Sequence, residues 1–426
     1  MAVLGDKIQY SSEVEKSDLF KTVVRTPKSN PDTFPTSEST ASSVSEMVFH
    51  EGSVSNFPHF LARKLFDELL LMFLKLGADD TLLAVGIPLT IKLNGSWVTV
   101  SDRLISYDEV SAIVNEIDNS TATSRMMAGK PLKFAHAIRS ASEQYRFRVN
   151  GTKIMGVGGT DQAASLTLRT IPGTPPSVEE LGLPPQILAM TQHRAGLFIV
   201  SGPTGSGKTT TSAAIIRDLV ENHEGKNIIT FEDPIEYVYD KLDKKSVIQQ
   251  SEVKWLEGGW SDVGPNLLRR NPDIAFLGEA PDKDAMEAAV KVSAHGKFVI
   301  VTLHANSAAG TIDRMADEWP VASRSAILKS IISNIRGIVH QRLVRAPDTD
   351  VRTPIFGMLE FSQDMREHLG SLDSEELLGA ITGYVKTNGV SELSYAQAKF
   401  NEGLIHPEDF SVLEKEFKIN DSRWEG

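Results

Sequence analysis

The sequence predicts an α/β protein whose main domain is a mostly parallel sheet carrying a phosphate-binding loop, with a smaller α+β domain ahead of it. Three observations predict this. Apolar runs at 197–200, 227–231, 274–277 and 298–301 alternate with helical stretches, the rhythm of strands buried in a parallel sheet. The segment Gly202-Pro203-Thr204-Gly205-Ser206-Gly207-Lys208-Thr209 follows the first run directly and opens a helix. Upstream, residues 57–170 combine one periodic helix with hairpin and strand patterns.

The order of elements begins with a tail. Residues 1–55 read as a separate tail, in which the stretch from Lys21 to Asn56 is crowded with Ser, Thr, Pro and Asn and lacks apolar periodicity, so it cannot bury enough surface to offset ordering entropy. They are expected to be largely disordered, with order starting near Phe57. Leu61, Leu65, Leu69 and Phe73 then recur at helical spacing, and Gly77 ends that helix. Residues 89–93 and 97–100 read as strands joined by an Asn94-Gly95 turn. Residues 145–150 and 165–169 alternate like strands. The first folded domain is therefore set at 56–170. Residues 171–177, Ile171-Pro172-Gly173-Thr174-Pro175-Pro176-Ser177, form a connector that proline stiffens into a hinge. The parallel α/β domain is placed at 178–365, and an acidic, helical extension at 366–426.

Composition bounds the function. A chain of 426 residues with 41% hydrophobic and 23% charged residues has material for two or three domains with real cores. The net charge of −12 argues against strong direct nucleic-acid binding, which draws its affinity from Lys and Arg. With no cysteine, disulfides, thiolate zinc sites, iron–sulfur clusters and cysteine nucleophiles are excluded. The first residues are not followed by an apolar h-region, and no run reaches the ~20 apolar residues of a membrane span. A cytoplasmic protein is expected, with peripheral membrane association only through partners.

The glycines of 202–207 allow backbone N–H groups to turn toward phosphates without Cβ clashes. Lys208 supplies positive charge to the β- and γ-phosphates, and Thr209 a hydroxyl for Mg²⁺, with Thr210 following in the helix. ATP is thus the expected ligand. Glu232, Asp233 and Glu236 stand just past a strand end, where such sheets hold their ligands. A carboxylate there can deprotonate or orient water. Spacing alone leaves that reading level with a solvated acidic turn. The strand at 274–277 ends in Gly278-Glu279, the logic of a Walker B motif, although such motifs usually close on Asp. His304 follows another strand end, open to a structural role or to sensing the γ-phosphate.

These four motifs, in this order, resemble the secretion ATPase superfamily, which includes type II and type IV secretion ATPases and pilus retraction ATPases. Its order is Walker A, Asp box, Walker B ending in Gly-Glu, and His box, matched here at 202–209, 230–237, 268–279 and 301–306. The likeness runs from about Phe57 through Gln341-Arg342-Leu343-Val344. Arg146-Phe147-Arg148-Val149-Asn150 and Leu168-Arg169-Thr170-Ile171-Pro172 are most similar to the conjugative plasmid transfer and Dot/Icm (type IVB) ATPases. The resemblance implies a RecA-like P-loop NTPase core, a PAS-like N-terminal domain and a homo-hexameric ring docked on inner-membrane components. It implies Glu232 as catalytic carboxylate, Glu279 as the residue placing Mg²⁺ through water, and a catalytic place for His304. It also implies N-terminal arginines that neutralise the γ-phosphate; Arg146, Arg148 and Arg169 occupy the matching places, with Arg148 and Arg169 the favoured pair, although each also fits an ordinary strand-face ion pair.

The chain departs from the family after Glu279. Pro281 stands where an arginine is usual, Ala285 where a threonine is usual, and Lys297 where the first His-box histidine is usual; His295 sits two residues early. ATP binding is expected to survive these changes, with turnover slow or dependent on a partner. Three functions compete: a conjugation or secretion motor, a pilus retraction ATPase, and a nucleotide-gated hub that does not hydrolyse.

Overall fold

The computed structural model describes residues 48–50, 53–55, 57–93, 95–139, 144–156, 159, 163–171, 173–347 and 352–422. Chain contacts divide into two units, the second beginning at Pro172. Most of the expected disordered tail lies outside the described residues. Within it, β1 (Val48–His50) and β2 (Ser53–Ser55) pair antiparallel, so ordered pairing starts ahead of Phe57. Strands of three residues are too short to show a period of two, which hid them.

The first unit continues with α1 (Arg63–Lys75), β3 (Asp80–Ala84), β4 (Pro88–Leu93), β5 (Ser96–Leu104), α2 (Tyr107–Ile117), α3 (Ala122–Met127), β6 (Leu132–Arg139), β7 (Gln144–Ile154) and β8 (Ala163–Ile171). Helix α1 buries Leu65, Phe66, Leu69, Leu70 and Phe73 along one stripe. Ser106 and Glu109 form a capping box that starts α2. The strands make one sheet in the order β1-β2-β5-β4-β3-β8-β7-β6. Strand β6 alternates strictly, sending Leu132, Phe134 and Ile138 into the core shared with α1 and α2.

The second unit contains α4 (Pro185–Met190), β9 (Gly196–Ser201), α5 (Lys208–Asn222), β10 (Asn227–Glu232), β11 (Val247–Glu252), α6 (Trp260–Arg270), β12 (Ile274–Leu277), α7 (Lys283–Ala294), β13 (Phe298–Leu303), α8 (Ala308–Asp317), α9 (Val321–Asn334), β14 (Ile335–Arg345) and β15 (Arg352–Glu360). Four helices close the chain: α10 (Gln363–Ser371), α11 (Ser374–Thr387), α12 (Glu392–Asn401) and α13 (Pro407–Ser422). The sheet order is β11-β10-β12-β13-β9-β14-β15, parallel throughout except for β15. Both faces are covered, as parallel sheets require. In β9, Leu197 and Ile199 join one core cluster, while Phe198 and Val200 join the cluster on the other face. This alternation fixes the strand whose carboxyl end carries the phosphate loop.

Candidate nucleotide site

The loop 202–206 leaves β9 and turns into α5 at the central part of the sheet. Two of its glycines are sterically required. Gly202 has φ +150°, and a Cβ there would lie 2.2 Å from Gln341 O. Gly207 caps α5 with φ +84°, and a Cβ there would lie 2.9 Å from Gln341 Nε2. Strand β14 therefore presses on the loop so closely that only glycine fits. Gln341 is buried and its Oε1 accepts from Thr211 Oγ1 at 2.7 Å, tying the first turn of α5 to β14.

Lys208 is the first residue of α5 and is buried. Its ammonium donates to Gly202 O and Pro203 O, both at 2.9 Å, and lies 3.3 Å from His304 Nδ1. Burial lowers its pKa to about 8, with the charge of Glu279 acting the other way. On its far side, His304 Nε2 is 2.9 Å from Glu279 Oε1. Lys208, His304 and Glu279 therefore stand in one chain of contacts along the carboxyl edge of three strands. Pro203, Thr204 and Gly205 are exposed, whereas Ser206 is buried and Thr209 is half-buried on α5. Thr210 Oγ1 is 3.1 Å from Tyr237 Oη, linking α5 to the segment after β10.

Of the three carboxylates in that segment, Glu232 alone is buried; Glu236 is half-buried and Asp233 is exposed. Thr230 Oγ1 donates to Glu232 Oε1 at 2.7 Å, and Gln250 Nε2 donates to the same oxygen at 3.3 Å. Burial dominates these hydrogen bonds and pushes the carboxyl up to about 7. The neighbouring strand leaves room for it: a Cβ on Gly278 would lie 3.0 Å from Glu232 Cγ. Gly278 O in turn accepts from Thr302 Oγ1, which joins the Walker B turn to the His-box strand.

Arg148 and Arg169 lie in the first unit, directly opposite each other on β7 and β8. Arg169 Nε and Nη2 reach Asp80 Oδ1 and Oδ2 at 2.8 and 3.1 Å, a two-pronged ion pair that orients the guanidinium. Within one chain these arginines thus belong to a different unit from the phosphate loop.

The unusual stretch after Glu279 separates into two places. Ala280 N donates to Thr302 O at 2.9 Å, so Pro281 borders Glu279 at the carboxyl edge. Asp282 caps α7 by accepting from Ala285 N at 3.0 Å, and Ala285 is fully buried. Lys297, by contrast, donates to Asn271 Oδ1 at 2.6 Å, and its carbonyl accepts from Gly196 N at the start of β9. Six residues of strand separate it from the phosphate-loop edge, about 20 Å at ~3.3 Å per residue. Within this chain Pro281 adjoins the site, whereas Lys297 and His295 sit at the opposite edge of the sheet.

Several site residues carried no role in the sequence reading: Thr230, Gln250, Tyr237 and Gln341. Gln250 and Gln341 are polar residues inside strands, and that was the available signal.

The family described as Type II/IV secretion system protein matches residues 137–410, which span β6 to α13 and include every part of this site. The chain belongs to that family. The type IV pilus retraction ATPase PilT of Pseudomonas aeruginosa is 31% identical over 278 residues, covering 65% of this chain and 77% of PilT. The crystal structure of the Legionella pneumophila ATPase DotB superposes with a TM-score of 0.73 at 30% identity, covering 85% of this chain and 99% of DotB. The pilus retraction motor PilT with bound ADP gives a TM-score of 0.68 at 27% identity, over 81% of this chain and 95% of that one. The resemblance read from the four motifs is borne out: this is a secretion-type ATPase with a RecA-like P-loop core, and it hydrolyses ATP.

Proposed function

We propose that this ATPase is the hexameric motor of a type IVB-like secretion or conjugation system. The supporting observation is the likeness to DotB over 99% of that protein's chain, together with the Lys208–His304–Glu279 line beside a buried Glu232. In this reading the loop amides of 202–207 and Lys208 hold the β- and γ-phosphates of ATP. Pro203, Thr204 and Gly205 shape the loop's outer rim, and Thr210 fixes α5 against Tyr237. Mg²⁺ fits the donors present. No cluster of three acidic or histidine ligands exists among the described residues. An ion held by Thr209, phosphate oxygens and waters, with Glu279 reached through water, suits magnesium's reluctance to dehydrate. When bound, the ion neutralises phosphate charge. Glu232, with a pKa near 7, takes the proton of the attacking water. His304 relays between Glu279 and the phosphates. Arg148 and Arg169 reach the site from a neighbouring subunit, and the 171–177 connector serves as the hinge.

No helix among the described residues is long and apolar enough to cross a membrane. We place the ring in the cytoplasm, held at the inner membrane by partner components, without strong direct contact to nucleic acid. The identity with PilT over 77% of its length favours one second reading, pilus retraction. The two readings part in the host. Under the motor reading, Lys208→Ala and Glu232→Ala abolish hydrolysis by the purified ring and abolish DNA or effector transfer. Transfer that persists while pili stop retracting selects the second reading.

A further inference from the structure

Glu392 opens α12, far along the chain from every motif of the site, yet it is buried. Its place is built. Met358 and Val390 exchange two backbone hydrogen bonds of 2.8 Å that pin the segment before α12 to β15. Gly357 on β15 leaves space for the side chain, since a Cβ there would lie 2.8 Å from Glu392 Cγ. The carboxylate faces two side chains of β14: Oε1 is 2.7 Å from His340 Nδ1, and Oε2 is 3.0 Å from the Arg342 guanidinium at Nε. Each of these side chains then reaches the loop after His304 with another nitrogen. His340 Nε2 is 3.1 Å from Ala305 O, and Arg342 Nη2 donates to Asn306 O at 3.1 Å. Gln341, between them, points to the other face of the strand and holds Thr211.

We infer that Glu392 is a positioning residue for the ATPase site, acting through His340 and Arg342 on the loop that carries His304. A buried ion pair is often replaceable by apolar groups without loss of stability, so stability alone does not account for the Glu392–Arg342 pair here. Asn306 and Ser307 of that loop, with the first turn of α8, also border a cavity of about 560 Å³ lined by Arg342, Leu378, Thr382 and Glu392. Without the two clamps, the loop has room to shift. His304 contacts Lys208 and Glu279 from that loop, so a shift there spoils γ-phosphate chemistry more than phosphate binding. This inference rests on the reading of His304 given above.

The test is a double-mutant cycle on the full-length assembled protein, with ATP hydrolysis and binding of a fluorescent ATP analogue as readouts. Glu392→Gln is expected to lower kcat about tenfold while KM and analogue affinity stay within about twofold, the pattern of an interaction used only in the transition state. In a His304→Ala background the same substitution should cost less than about twofold, because coupled residues are non-additive. Arg342→Lys, which keeps the charge but not the two-sided reach, should show the same non-additivity and stands in if Glu392→Gln melts early. An unchanged kcat in both variants overturns the inference, as does an equal fall in both backgrounds or a raised KM with kcat kept. If His304→Ala leaves turnover unchanged, the reading of His304 fails and carries this inference with it. If His304→Ala slows turnover and neither variant does, the inference alone fails.

Discussion

Replacing Glu232 by Gln should stabilise the protein above neutral pH while stopping hydrolysis. The carboxyl is buried at the end of β10, and burial raises it from an ordinary value of 4.5 to about 7. Folding therefore favours the protonated form. Its stabilising contribution is complete below about 4.5 and is lost as pH rises through about 7. At about 1.4 kcal/mol per pH unit over that interval, the ionised carboxylate costs the fold about 3 kcal/mol at pH 8. Glutamine keeps an acceptor oxygen for Thr230 and Gln250 and never ionises. At pH 8 the variant should therefore gain about 3 kcal/mol, roughly 6–12 °C in melting temperature for a unit of this size. At pH 5 the gain should fall below about 1 kcal/mol. Scanning calorimetry at the two pH values reads both numbers. A variant less stable than wild type at pH 8, or equally stabilised at both pH values, would refute the argument that burial holds this carboxyl near neutral.

The same pKa values predict a narrow bell for kcat/KM, which reports the free enzyme. It should rise through about 7 as Glu232 loses its proton and fall above about 8 as Lys208 loses its own; a flat profile from pH 6 to pH 9 would contradict both assignments. Gly202→Ala places a methyl 2.2 Å from Gln341 O at φ +150°. It should cost about 2–3 kcal/mol of stability and most ATP-analogue affinity, checked by melting and titration. Pro281→Arg should speed hydrolysis several-fold, since it restores a cation beside Glu279. Lys297→His should leave the rate within about twofold, because its partner Asn271 lies at the other edge of the sheet; the reverse ranking in a steady-state assay would undo the division of that stretch.

What could be read from the sequence is what is encoded locally. The phosphate loop announces itself because strand, glycines, Lys208 and helix are contiguous. The buried strands β9, β10, β12 and β13 are apolar nearly throughout because helices cover both faces. Strands β11 and β14 were not legible, and the reason is functional. β11 carries Gln250, whose partner is Glu232, and β14 carries His340, Gln341 and Arg342, whose partners are Glu392 and Thr211. Each polar residue breaks the apolar pattern, and its compensation lies far away in the chain. Polar interruptions of this kind are expected where a sheet serves a site. The position of Lys297 is the opposite case, since the sequence held enough to place it. His304 and Lys297 flank the same six-residue strand. An extended chain advances ~3.3 Å per residue, so the two ends of that strand cannot serve one phosphate. Of the two, strand geometry assigns His304 and not Lys297 to the nucleotide edge of this chain.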